Sequence, residues 1–257
     1  MSENEISENQ TVAETRIEAD GPILTITIDR DHKRNSLTAD VCASIADAVE
    51  KAPEREENRV IVIRGEGRAF CAGADLSGSH SNGDFHVQLK RMLNAIQDCP
   101  LVVIADVQGA AVGAGMQLSM AADLRVVGER GWFMIPPVKL GIAVDAWTIR
   151  RTRVLVGGAR ARTILLAAER VDLKEAVSCG LASFVGDSQK TLEVARNIAS
   201  YAPLSLAYHK LVLNDDETNL DPKPEQQALY EQVWASEDAA EATKARAEKR
   251  DPVFRGK

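Results

Sequence analysis

Two stretches of small residues could present bare backbone N–H groups to a ligand. Gly109-Ala110-Ala111-Val112-Gly113-Ala114-Gly115-Met116-Gln117 follows the apolar run Leu101-Val102-Val103-Ile104-Ala105 and leads into Leu118-Ser119-Met120-Ala121-Ala122-Asp123. A strand that turns through glycine into a helix leaves the first N–H groups of that helix unpaired at the positive end of its dipole, where an anion or a developing oxyanion is held. Ala69-Phe70-Cys71-Ala72-Gly73-Ala74-Asp75-Leu76 has the same character. One such stretch alone serves close helix–strand packing as readily as binding. Two suggest a paired device. Asp145, in Ile142-Ala143-Val144-Asp145-Ala146-Trp147, can move a proton or cap the helix that begins at Ala146. His32, His80, His86 and His209 have no Ser or Cys partner in a motif and read as solvated or packing side chains, and Ser36 and Ser119 lack a nucleophile elbow. Trp132, Phe133 and Met134 read as core or as the wall of a pocket.

The elements that must hold these residues follow from hydrophobic pattern. Thr15–Ala19 and Ile23–Ile28 alternate apolar and polar residues across Asp20-Gly21-Pro22, which predicts a hairpin. Thr38 caps a helix running to about Lys51, and Val60-Ile61-Val62-Ile63 is an unbroken β-branched run, the mark of a strand buried on both faces. A helix through Val87, Leu89, Met92, Leu93 and Ile96 ends before Pro100, ahead of the central strand and the glycine turn. Strands follow at Leu124–Val127 and Trp132–Ile135, helices at Ala146–Val156, Arg160–Ala168 and Asp172–Val177, and a short strand over Gly180–Val185. From Leu192 on the pattern is helical, with helices over Leu204–Leu213, Gln226–Trp234 and Asp238–Lys249. The expected organisation is a tail over residues 1–12, an α/β core over 13–190 and a helical part over 191–257.

Composition bounds the function. The 257 residues are 45% hydrophobic and 27% charged, ordinary for a globular chain with a substantial core. A net charge of -7 argues against a general nucleic-acid or anionic-membrane binder. Cys42, Cys71, Cys99 and Cys179 are widely spaced, with no CxxC or Cys/His pattern, so neither zinc nor a disulfide framework is indicated. The first ten residues are acidic and polar, unlike a signal peptide, and read as a disordered tail; a reduced, cytoplasmic protein with no membrane span is expected.

The order and context of these motifs resemble the crotonase (enoyl-CoA hydratase/isomerase) superfamily. Arg34-Asn35-Ser36-Leu37, Ala69 to Leu76, Gly109 to Gln117, Ala122-Asp123, Pro136 with Leu140-Gly141, and the terminal Lys249-Arg250-Asp251-Pro252-Val253-Phe254 carry the resemblance. It implies a spiral of ββα units with an all-helical C-terminal part, assembled as a trimer or hexamer, that binds acyl-CoA with coenzyme A as part of the substrate and no permanent cofactor or metal. It also implies that the N–H groups of Ala72 and Ala114 hold the thioester oxygen, with Gly73, Ala74 and Asp75 beside them. Lys33 and Arg34 would lie near the CoA phosphates, and Lys249 would be the C-terminal basic contact. Two glutamates do the acid–base work in the family's hydratases; here those positions hold Gln117 and Pro137. Hydratase chemistry is therefore not expected, because an amide is no base and proline offers no polar side chain. Asp145 matches a place where some isomerases and a dehalogenase of the superfamily carry an aspartate, which leaves an isomerase or lyase with Asp145 as acid/base as the alternative. Gln117, Pro137 and Asp145-Ala146-Trp147, with Ile149-Arg150-Arg151 and Val212-Leu213-Asn214-Asp215-Asp216, look like a glutamate-lacking hydratase paralogue of long-chain acyl and mycolic acid metabolism.

Overall fold

The computed structural model describes residues 9–12, 14–76, 83–214, 231, 234–250 and 252. A seven-stranded sheet forms the centre. β1 (Asn9–Val12), β2 (Thr15–Asp20) and β3 (Ile23–Ile28) pair antiparallel; β4 (Val60–Gly65), β5 (Val102–Val107), β7 (Leu124–Val127) and β9 (Phe184–Val185) extend the sheet from β3 in parallel. β6 (Ala110–Val112) and β8 (Trp132–Met134) form a separate parallel pair. Asn9–Val12 corrects the expectation of a tail through residue 12: Asn9 pairs with Glu18 and Val12 with Thr15, so backbone bonding to an open sheet edge orders a segment whose composition is polar. The strand expected over Gly180–Val185 shortens to Phe184–Val185, because the Ala182 N–H turns back to the Ala176 carbonyl at 2.9 Å rather than joining the ladder.

The β-branched runs are buried on both faces, and their alternation divides two cores. Ile61 and Ile63 of β4, with Val103, Ala105 and Val107 of β5, point to one side, where α1 (Ala39–Lys51), α2 (Gly83–Asp98) and α3 (Ala114–Ala121) pack. Val60 and Val62, with Val102 and Ile104, point to the other and meet Val194, Ala195 and Ile198 of α7 (Ser188–Ala199). These three α7 residues fall on one stripe at helical spacing. β5 also carries a buried carboxylate, Asp106, which stays satisfied by accepting from Gln108 Nε2, Ser188 Oγ and Thr191 Oγ1 at 2.7, 2.6 and 2.7 Å. Those bonds tie α7 to the sheet.

Thr38 caps α1 by accepting the Val41 N–H at 3.2 Å. After β8 the chain is mostly helical, through α4 (Ala146–Val156), α5 (Gly158–Leu166) and α6 (Leu173–Ser178), the last capped by Asp172. Beyond α7 come α8 (Pro203–Leu213) and α9 (Glu237–Ala247). α8 is anchored by the buried Lys210, whose ammonium donates to the carbonyls of Ile96 and Leu101 and pairs with Asp123, each at 2.9 Å. The helix expected over Gln226–Trp234, together with His80, lies outside the described residues apart from Glu231 and Trp234. Among the described residues no helix is long and apolar enough to cross a membrane, and no cluster of side chains could hold a metal ion.

Candidate active site

The two small-residue stretches meet. Cys71 and Ala111 bridge in parallel, with the Cys71 N–H donating to the Ala110 carbonyl and the Val112 N–H to the Cys71 carbonyl, both at 2.9 Å. Two glycines allow the approach. Gly73 has φ +99°, where an added Cβ would sit 2.7 Å from the Val112 carbonyl oxygen; at Gly115 it would sit 2.1 Å from the Cys71 carbonyl oxygen. Burial beneath this crossing pushes the Cys71 thiol up to about 12, so it is not a nucleophile at neutral pH.

Backbone polarity then decides which N–H groups remain free. On the loop after Cys71, the Ala72 N–H donates to the Arg34 carbonyl at 3.0 Å, the Gly73 carbonyl accepts from Leu37 at 2.8 Å, and the Asp75 N–H donates to Leu37 at 2.8 Å. Ala74 stands between them with its N–H unbonded among the described residues, on the wall of a cavity. The donor role expected for Ala72 is thus closed to it. The loop's free donor is two residues on. Asn35 fixes this arrangement from beneath: it accepts the Arg30 N–H through Oδ1 and donates through Nδ2 to the carbonyls of Glu66 and Ala69 at 2.8 and 2.7 Å.

Ala114 opens α3, so its N–H has no partner within the helix. All eight residues of α3 are buried, and its far end is held by cations. Arg125 donates to the carbonyls of Ser119, Ala122 and Leu181 at 3.1, 2.9 and 2.7 Å, and Arg151 Nε donates to Met120 at 3.1 Å. Burial, then the nearby Arg151, brings the Arg125 guanidinium down to about 10, still charged at neutral pH. Positive charge at the helix C-terminus complements the dipole whose positive end is at Ala114.

One turn beyond Ala114, the buried Gln117 points its amide at α4. Its Nε2 donates to Asp145 Oδ2 at 2.8 Å and to Thr148 Oγ1 at 2.6 Å. Asp145 Oδ1 accepts the Thr148 N–H at 2.9 Å, and Oδ2 also accepts the Thr148 hydroxyl at 2.9 Å. Asp145 is therefore the N-cap of α4, the bland role its sequence context allows, and its carboxylate accepts three hydrogen bonds from Thr148 and Gln117. Pro137 is buried at the first position of the 3-10 helix Pro137–Lys139, where a missing N–H costs nothing, and its carbonyl accepts from Leu140 at 2.8 Å and Ile142 at 3.2 Å.

The cavity on whose wall Ala74 stands has a volume of about 480 Å³. Leu76, Phe85, Leu140, Ile142 and the alanines of α9 give it an apolar lining, broken by Asp75, His86, Ser236, Thr243 and Arg246. Asp75 is paired with the buried Arg30 at 3.0 Å. His86, which the sequence marks as a solvated or packing residue, belongs to the cavity, with its ring against Phe85 and Trp234 at centroid distances of 5.5 and 5.0 Å. Arg246 was missed, though a basic residue in the last turn of α9 is visible in the sequence. Lys33 and Arg34 lie exposed in the 3-10 helix Asp31–Lys33 and at its C-cap, and Lys249 is exposed just past α9. None of these three makes an ion pair among the described residues, and none lines the cavity. Ser36 is taken up by Arg30 and Ser119 by the Met116 carbonyl, Phe133 is core, and Trp132 carries Arg170 over its ring at 4.2 Å.

Comparison with known proteins places this geometry. A family model described as enoyl-CoA hydratase/isomerase matches residues 18–257. A probable enoyl-CoA hydratase, echA6, of Mycobacterium leprae is 40% identical over 240 residues, covering 91% of this chain and 96% of that protein. Carnitinyl-CoA dehydratase of Citrobacter koseri is 35% identical over 254 residues, covering 92% and 96%. The crystal structure of an enoyl-CoA hydratase from Mycobacterium avium subsp. paratuberculosis superposes with a TM-score of 0.85 at 29% identity, covering 95% of this chain and 100% of that one.

Proposed function

The chain belongs to the enoyl-CoA hydratase/isomerase family and has the crotonase fold, and from that premise we propose that it binds long-chain acyl-CoA thioesters without hydrating them. The thioester oxygen lies on the N–H groups of Ala74 and Ala114. Two preorganised donors, one at a helix N-terminus, polarise a carbonyl without moving a proton. Lys33, Arg34 and Lys249, exposed and without ion pairs among the described residues, serve the CoA phosphates together with Arg246 at the cavity.

The observation that carries this reading is the Gln117 amide donating into the Asp145 carboxylate. Adding water across a double bond needs a base for the water and an acid for the α-carbon. Gln117 is neither, Pro137 has no titratable group, and the oxygens of Asp145 already accept three hydrogen bonds. A second reading, a double-bond isomerase with Asp145 as the proton carrier, has in its favour that His86 lies within the electrostatic reach of Asp145 at the same site. Asp145→Asn abolishing a double-bond shift would support it.

Subunits associate through α8. Leu204, Tyr208 and Leu211, spaced to share one helix face, are 86%, 64% and 71% exposed, while Lys210 anchors the opposite face. Copies of this chain, in a trimer or hexamer, cover that face, and the assembly is cytoplasmic.

Calorimetry with dodecanoyl-CoA and an absorbance assay with crotonyl-CoA and trans-2-dodecenoyl-CoA test the proposal. Binding without loss of the enoyl chromophore is expected. Robust turnover of either enoyl-CoA would overturn it.

A further inference from the structure

His86 stands in the first full turn of α2 with its ring edge-on to Phe85 and Trp234, in a cavity lined mainly by Leu76, Leu140, Ile142 and the small residues of α9, with Asp75, Thr243 and Arg246 also on its wall. Neither ring nitrogen has a hydrogen-bond partner among the described residues. Desolvation lowers its pKa from the usual 6.5, opposed by the weaker pull of Asp145. At neutral pH the ring is thus uncharged, with one nitrogen a donor and the other an acceptor, at the wall of a cavity whose lining is mostly apolar.

A plain hydrocarbon chain filling this cavity would strip remaining water from the ring and return no hydrogen bond. A hydroxyl or keto oxygen on the chain would return one. We propose that His86 is a specificity-determining residue that selects acyl chains carrying a hydroxyl or keto oxygen over the saturated hydrocarbon of the same length. Phe85 and Trp234 flank the ring, with centroids at 5.5 and 5.0 Å. The preference is set by the asymmetry between a satisfied and an unsatisfied buried polar group, which corresponds to about tenfold in affinity. This inference rests on the acyl-CoA-binding reading above.

Dissociation constants are measured calorimetrically for dodecanoyl-CoA, for its hydroxy isomers substituted at successive carbons from the third to the sixth, and for 3-oxododecanoyl-CoA, with the parent protein and His86→Phe. Phenylalanine keeps the aromatic edges and the volume and removes only the nitrogens. The parent should bind at least one oxygenated chain about tenfold more tightly than dodecanoyl-CoA, and His86→Phe should lose that preference, chiefly by binding dodecanoyl-CoA more tightly than the parent does, since no ring nitrogen is then left unsatisfied. His86→Gln, which restores a donor and an acceptor, should recover part of it. Equal affinities for all chains in the parent, or a preference that survives in His86→Phe, would overturn the assignment and leave acyl-CoA binding intact. Failure of every chain to bind the parent would instead defeat the binding reading itself.

Discussion

The Gln117 amide and the Asp145 carboxylate are matched to each other, and the match predicts what a glutamate would do in the amide's place. Gln117→Glu would set two carboxylates at the present 2.8 Å. Two carboxylates that close titrate as a pair, and one apparent pKa rises. A folded-state pKa raised above the unfolded value of about 4.3 gives stability that is present at low pH and lost as pH rises through the folded value. Denaturant titrations of the variant and the parent should therefore agree near pH 4.5 and diverge by about 2 kcal/mol at pH 8, with the variant weaker. The same deficit at both pH values would contradict the coupling. At this scale the sequence was informative where chemistry is local. Asp145 ahead of Ala146-Trp147-Thr148 reads as a cap because a cap's partner is three residues away. The free N–H of Ala74 could not be read in the same way. Which N–H of a loop remains unpaired depends on the Arg34 carbonyl, which takes the Ala72 N–H, and only tertiary structure supplies that neighbour. His86 was passed over for the same reason, since Trp234 closes over it from the far end of the chain.

Among the elements, α3 links the proposed oxyanion donor at Ala114 to the rest of the molecule. The helix starts against Cys71 because Gly115 has no side chain, and it ends in the guanidinium groups of Arg125 and Arg151. Gly115→Ala sets two effects against each other. Alanine favours a helix by up to about 1 kcal/mol, whereas a Cβ at 2.1 Å from a backbone carbonyl forces the helix outward at a cost of roughly 1–3 kcal/mol. The second effect wins, so the variant should unfold at lower denaturant and bind dodecanoyl-CoA more weakly, because the Ala114 N–H moves with the helix. A more stable variant with unchanged affinity would show that the crossing is loose. Most of the helices and strands were legible from periodicity and caps, among them α1 behind Thr38 and α4 behind Asp145. β1 was not, because Asn9–Val12 is polar and carries no hydrophobic alternation, while its place in the sheet is set by pairing with β2.

At the level of the whole molecule, the sheet divides a larger core on the site side from a smaller one under α7, and Lys210 and Asp106 tie the helical C-terminal part to its strands. That leaves Leu204, Tyr208 and Leu211 facing outward. Sedimentation should show a trimer or hexamer for the parent and smaller species for Leu204→Lys combined with Tyr208→Lys; a monomeric parent would remove the assembly from the account. The central claim is that the N–H pair at Ala74 and Ala114 survives without an acid or base to serve it. Its most direct measurement is incubation of the protein with trans-2-dodecenoyl-CoA in oxygen-labelled water, followed by mass spectrometry of the recovered thioester. The account predicts a ligand that binds and returns unchanged in mass. A labelled 3-hydroxydodecanoyl-CoA formed at an enzymatic rate would contradict it.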